Sequence, residues 1–213
     1  EYVKENILPF VVDPKKEYPL TVEYMATVIE AAKLAPVQEF EGAGDIGRQV
    51  HEWREKSFRA WIEGYATAWY TSMDEPGIDR QVISARRAIK KFIDDTRYTS
   101  LACEIFLADD KLEIGGTGDD IGILDGKVTF LDLKTSNIGD KDSYFYQVAL
   151  YVYMFEKLYK MRTQAWKILH VSKTNGTYKL IDIPDIRKRI REARQIIKVD
   201  KFLEQLKEEK KKV

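Results

Sequence analysis

Cysteine is almost missing from this chain. Cys103 is the only one in 213 residues. That excludes a disulfide framework, a multi-cysteine zinc site and a cysteine-ligated iron–sulfur cluster. A reducing, intracellular setting fits that count. Histidine is nearly as scarce, with only His51 and His170. No apolar run approaches the roughly 18–20 residues that span a bilayer. No Gly-x-x-x-x-Gly-Lys-Ser/Thr loop is present, so no helicase segment is expected within the chain. The Asp-x-Asp-x-Asp-Gly pattern of a calcium-stabilised loop is absent too. The opening residues, Glu1-Tyr2-Val3-Lys4, have no secretory character. They also lack an initiator methionine, which leaves room for a true start upstream.

There is no excess of charge of either sign, since 35 basic residues balance 35 acidic ones. The balance is local only in part. Residues 104–125 hold seven acidic side chains against Lys111, and residues 186–199 hold six basic ones against Glu192. An acidic focus beside basic surface suits a cation-dependent, phosphate-binding protein, and also two solvated faces of opposite sign. Hydrophobic residues make up 44% and charged residues 33%, the composition of a soluble globular chain. A chain of this length buries roughly 70% of its unfolded surface, enough for a core without metal or disulfide.

Periodicity divides the chain into helices followed by strands. Thr21 caps a helix expected to run to about Ala35, and 36–44 is a break. Asp45 is expected to cap a long helix with Ile46, Val50, Trp53, Phe58, Trp61 and Tyr65 as its apolar stripe, ending before Asp74. A third helix spans 79–94, with Val82, Ile83, Ile89 and Phe92 inward and Arg80, Arg86, Arg87, Lys90 and Lys91 largely outward. Strands are expected over 99–107, 112–123 (interrupted at Gly115-Gly116) and 127–134, with Asp125-Gly126 as a hairpin turn. A helix over 142–160, strands over 165–171 and 177–183, and a final helix opening on Pro184 complete the order. Its Lys/Glu-rich end is expected to fray. The fold class is α/β (α+β), a mixed central β-sheet flanked by helices, with the middle helix as crossover. One domain is expected over 1–213: a helical extension at 1–44, a core at 45–183 and a basic C-terminal helix at 184–213.

The residues richest in chemistry lie on the second and third strands. Asp132 and Lys134 are two apart, so they leave one face, while Leu131 and Leu133 take the other into the core. Asp119 lies on the partner strand, where it can come beside Asp132. Two carboxylates and an ammonium at one strand end make a hard-cation site with a lysine beside it. Gln147 and Tyr151 are four apart and share a helix face. Gly115, Gly116 and Gly118 are expected to serve a bend or bulge, because a strand follows them rather than a helix.

The run Gly116-Thr117-Gly118-Asp119, then Asp132-Leu133-Lys134, then Gln147-Val148-Ala149-Leu150-Tyr151, resembles the PD-(D/E)XK nuclease superfamily, in its RecB-like exonuclease branch. Gly47-Arg48-Gln49-Val50-His51 matches that branch's upstream Gly-x-x-x-His helix, and Glu104 its glutamate one strand earlier. The likeness spans about 45–171, without the iron–sulfur cysteines. It implies a restriction-endonuclease-like core and hydrolysis of DNA phosphodiester bonds with Mg²⁺ or Mn²⁺. His51, Asp119, Asp132 and the Leu133 carbonyl would hold the metal. Lys134 would orient the attacking water and stabilise the transition state, and Glu104 would complete the site. Gln147 and Tyr151 would contact substrate or brace Lys134. Thr117 and Thr135 are candidates for phosphate or outer contacts. Exonuclease action in recombination, repair or viral DNA processing is the expectation, on single- or double-stranded DNA, with a helicase or recombination partner. The alternatives are a structure- or sequence-specific endonuclease and a non-catalytic DNA-binding module. DNA contacts are expected from Arg86, Arg87, Lys90 and Lys91 on one helix, and from Arg187, Lys188, Arg191 and Arg194 on another.

Overall fold

The computed structural model describes residues 44–63, 77–135 and 141–211. The helix expected over 21–35, the position of Tyr65 and the helix end before Asp74 lie outside the described residues. Gly44, expected in a break, opens helix α1 (Gly44–Ile62). Asp45 therefore sits in the first turn rather than capping it, where Arg48 and Gln49 bond its carboxylate. Helix α2 (Arg80–Thr96) has a true cap in Asp79, whose side chain accepts from the Gln81 N–H at 2.7 Å. Arg97 ends it in the left-handed conformation and donates its N–H to the Ile93 carbonyl.

Five strands follow: β1 (Thr99–Asp109), β2 (Ile114–Leu124), β3 (Lys127–Lys134), β4 (Ala165–Val171) and β5 (Tyr178–Asp182). They lie side by side in sequence order, antiparallel except for the parallel β3–β4 pair. A parallel pair needs a crossover, and helix α3 (Lys141–Tyr159) supplies it. Helix α4 (Ile186–Lys211) closes the chain. The architecture is a mixed sheet flanked by helices, as the order of elements implied. Among the described residues no helix is long and apolar enough to cross a membrane.

Alternation along β3 sorts the core into two layers. Leu131 and Leu133 join Leu169, Val50, Trp53, Ile89 and Phe92 on the α1–α2 side. Phe130 joins Ile168, Val148, Val152 and Phe155 on the α3–α4 side. Both faces of β3 are thus covered, so Asp132 and Lys134 lie inside the protein, 1% and 8% exposed.

Several expectations need correction. Gly115-Gly116 does not interrupt β2, which is continuous. The irregularity of the β1–β2 ladder falls between Ser100 and Ala102 instead. The last helix starts at Ile186, not Pro184. Asp185 takes a φ of 53°, and its carbonyl accepts from Lys188 and Arg189 to begin the coil. The Lys/Glu-rich end is helical to Lys211.

Candidate metal centre

The sheet forks where the chemistry is concentrated. The β2–β3 ladder ends at the Asp120–Leu131 pair, whereas β3–β4 pairing continues to Lys134–His170. One further step would set Asp119 opposite Asp132. Instead the Asp119 carboxylate enters the fork, and its Oδ2 accepts the Leu133 N–H at 2.6 Å. Leu133 is thereby tied to the site through its amide.

Helix α1 brings His51 to the same place. His51 Nδ1 lies 3.1 Å from Glu104 Oε1 and 3.8 Å from Asp119 Oδ1. Ligand-type atoms of His51, Glu104 and Asp119 all fall within 4.8 Å of one another, and they come from α1, β1 and β2. Gly47 suits the close approach of the helix, since a Cβ there would stand a tight 3.2 Å from Thr135 Oγ1. Glu104 reaches the cluster with a φ of 50° inside β1. For a residue with a Cβ that conformation costs roughly 1–2 kcal/mol, so the local backbone is strained where the carboxylate is aimed.

The charges are mutually dependent. Burial works to lower the His51 pKa, but Asp119 and Glu104 outweigh it and push the imidazole up to about 9. Burial raises the Asp119 carboxyl, helped by Glu104 and opposed by His51 and Lys134. Burial likewise pushes Asp132 up to about 6, Asp119 adding to the effect and Lys134 countering it. Lys134 Nζ lies 3.3 Å from Asp132 Oδ2, close enough for an ion pair. Yet neither Asp132 oxygen has a partner in hydrogen-bonding geometry. A carboxylate 1% exposed without such a bond is costly.

Helix α3 holds the lysine. Lys134 Nζ donates to Gln147 Oε1 at 3.3 Å and sits 5.1 Å above the Tyr144 ring. Gln147 Nε2 donates to the Tyr151 hydroxyl at 3.2 Å. The Tyr151 ring in turn fills the space over Gly116, where a Cβ would come within 2.7 Å of it. Gly118 is open for a similar reason, with the Phe130 ring 2.8 Å from where a Cβ would be. These glycines serve ring packing, not a bend. Thr117 is exposed opposite Phe106 and takes no part, while Thr135 is buried beside Gly47.

Of the expected DNA-binding residues, Arg86 is misplaced by the sequence reading. It is 6% exposed and stacks 5.2 Å over the Trp53 ring, because α1 packs where the helix was expected to meet solvent. Others are engaged within the molecule. Lys90 pairs with Asp94 and Lys91 with Asp95. Arg187 bonds Glu156 and covers Trp166, Lys188 pairs with Glu192, and Arg194 covers Tyr153. Arg87 and Arg191 point outward. The acidic stretch also disperses. Asp109 binds Lys157 and its own turn, and Glu113 pairs with Lys201.

Sequence reasoning missed Arg54 and Asp120. They form a buried ion pair beside the site, joined by Tyr98 and Ser100. Their contact spans 66 positions, and neither residue carries a local signal of the other.

No family model matches the chain, and no curated protein is similar to it. Among solved structures it is similar to one described as "Crystal structure of SSO0001", with 12% identity over 85% of this chain and 88% of that one. The TM-score of 0.28 is too low for that likeness to carry any argument.

Proposed function

We propose that this chain is a metal-dependent DNA nuclease hydrolysing phosphodiester bonds, most consistent with an exonuclease. The observation that carries the reading is the Asp132 carboxylate. It is buried, with Lys134 Nζ 3.3 Å away as its ion-pair partner and neither oxygen in hydrogen-bonding geometry. It interacts electrostatically with Asp119 and His51 of the three-element cluster His51, Glu104 and Asp119, which it stands outside. An imidazole nitrogen with several carboxylate oxygens fits a hard divalent cation such as Mg²⁺ or Mn²⁺. His51, Glu104, Asp119 and Asp132 would hold it, with the Leu133 carbonyl as the resemblance implies. When bound, such a cation lowers the pKa of its water and neutralises phosphate oxygens.

The chain's own groups have separate tasks in this reading. Lys134, steadied by Gln147 and Tyr144, offers an ammonium for a phosphate oxygen or an attacking water. Tyr151 keeps Gln147 in place. End-labelled single- and double-stranded DNA, incubated with Mg²⁺, Mn²⁺ or EDTA, tests the whole proposal. Cleavage with either metal and none in EDTA is expected. No cleavage of any substrate with either metal would overturn it.

DNA contact would fall to the outward Arg87 and Arg191, each beside a surface lysine, Lys91 or Lys188, whose ion pair is exposed enough to exchange for a phosphate. Arg87 and Lys91 lie on α2, and Lys188 and Arg191 on α4, on opposite sides of the sheet. One path of DNA would engage one side. The expected result is therefore asymmetric. Either Arg87/Lys91→Ala or Lys188/Arg191→Ala lowers the salt slope of duplex binding by about 1.8, and the other leaves it unchanged. Titrations in Ca²⁺, which suppresses cleavage, measure this. Two unchanged slopes would mean that neither patch touches DNA.

A further inference from the structure

On α1, Gly47, His51 and Arg54 recur at i, i+4 and i+7 and so share one face. Each meets a different part of the sheet. Gly47 lies against Thr135 after β3, His51 against Glu104 and Asp119, and Arg54 against Asp120 of β2. Arg54 and Asp120 are 6% and 5% exposed. Arg54 Nη2 donates to Asp120 Oδ2, while Tyr98 Oη and Ser100 Oγ each donate to Oδ1 at 2.7 Å. Both Asp120 oxygens are therefore occupied, and of the two adjacent aspartates only Asp119 is open to a ligand.

A buried ion pair is a weak source of stability, since desolvation offsets most of the attraction. Its strength is geometric. Arg54 donates through Nη2 to a carboxylate that Tyr98 and Ser100 already hold by its other oxygen, so the bridge forms in few orientations. The apolar contacts of α1 lack that property. Val50 and Trp53 pack into the apolar cluster shared with α2, and apolar contact alone tolerates sliding of one helix along another.

We propose that Arg54 and Asp120 are the positioning pair of the candidate cation site. Their bridge locks one face of α1 to β2 and so holds His51 against Asp119 and Glu104. The inference rests on the reading of those three residues as cation ligands. It assigns Arg54 no contact with substrate or metal, only control of where His51 stands.

Mn²⁺ binding, measured by calorimetry and electron paramagnetic resonance, tests it on wild type, His51→Ala, Arg54→Met and the double variant, with melting followed in EDTA. Arg54→Met is expected to weaken Mn²⁺ binding at least about tenfold. The double variant should bind no more weakly than His51→Ala alone, because a displaced His51 and a missing His51 are the same loss. A merely structural arginine would lower the melting temperature of both backgrounds and leave the two affinity losses independent. Asp120→Asn, which keeps partners for Tyr98 and Ser100, gives the same reading if Arg54→Met does not fold. Wild-type affinity in Arg54→Met or Asp120→Asn, with affinity lost in His51→Ala, would overturn the positioning role and spare the cation reading. Additive losses would also overturn it. A wild-type protein that binds no Mn²⁺ would remove the cation reading, and the positioning role with it.

Discussion

Asp132→Asn is expected to abolish cleavage and, at the same time, to make the metal-free protein more stable. The activity loss should be about a thousandfold or more if, as proposed, the Asp132 carboxylate helps hold the cation. The gain in stability follows from the environment of the carboxylate. Burial and Asp119 together outweigh Lys134, so the group holds its proton up to about 6 in the folded chain. Unfolded, it releases that proton near the ordinary value of 3.8. Between those two pH values the folded state binds the extra proton, so stability falls as pH rises, and the loss is complete above about 6. An asparagine has no charge to bury. Above pH 6, in EDTA, it should be more stable by on the order of 1–3 kcal/mol, or several degrees of melting temperature. Its acid-side slope should be absent. His51 adds a second decline in wild type. Its imidazolium, raised to about 9, contributes stability that is full below 6.5 and lost as pH rises through 9. Melting curves from pH 4 to 9.5 in EDTA, with and without added Mn²⁺, provide the check. A variant that melts below wild type at pH 7.5 in EDTA, or that cuts DNA at the wild-type rate, would sink this account.

Lys134→Ala should separate binding of the cation from chemistry. The lysine has no electron pair to give while it is protonated, and its neighbours are a carboxylate, an amide and a ring. Removing it takes a positive charge from beside the carboxylates, so Mn²⁺ affinity should hold or increase. Turnover should fall by about 10²–10³, the usual scale for one lost transition-state contact. In EDTA the variant should melt lower than wild type, because Asp132 loses its ion-pair partner. Added Mn²⁺ should then raise the melting temperature by more than it does in wild type. Calorimetry and single-turnover cleavage distinguish the two effects. Parallel loss of Mn²⁺ binding and activity would show that Lys134 merely holds the site in shape.

The strands were legible because their signals are local. Asp125-Gly126 sets the hairpin, its Asp125 and Gly126 both at positive φ, and β3 and β4 run over the expected residues, each centred on an apolar segment. Asp119, His51 and Glu104 could be named from motif order, but the fork that brings them together could not. Its cause is a side chain taking the place of a strand, and no pattern of period two announces that. The misplacement of Arg86 has a different origin. A helical wheel marks the face that meets the sheet, and α2 is covered on a second side by Trp53 of α1. Aromatic stacking lets a guanidinium line that contact, so a basic residue there looks outward from sequence and is not. Pro184 misled for a local reason. Proline suits the first turn of a helix, but the positive φ of Asp185 delays the coil by two residues.

The bond from the Leu133 amide to Asp119 gives the protein a spectroscopic handle. Most amides of a central strand donate to a neighbouring strand's carbonyl, whereas this one donates to an ionisable side chain 14 positions away. A cation drawing on the Asp119 carboxylate would withdraw electron density from that acceptor and lengthen the bond. In a titration with diamagnetic Mg²⁺, the Leu133 amide proton should therefore move upfield and its nitrogen shift with it. The amides of Phe130 and Leu131, lower on the same strand and inside the regular ladder, should stay nearly still. A Leu133 resonance unmoved at saturating Mg²⁺ would mean that Asp119 does not take the ion. If Asp119 takes the cation, the backbone of β3 would report its binding without any reaction being run.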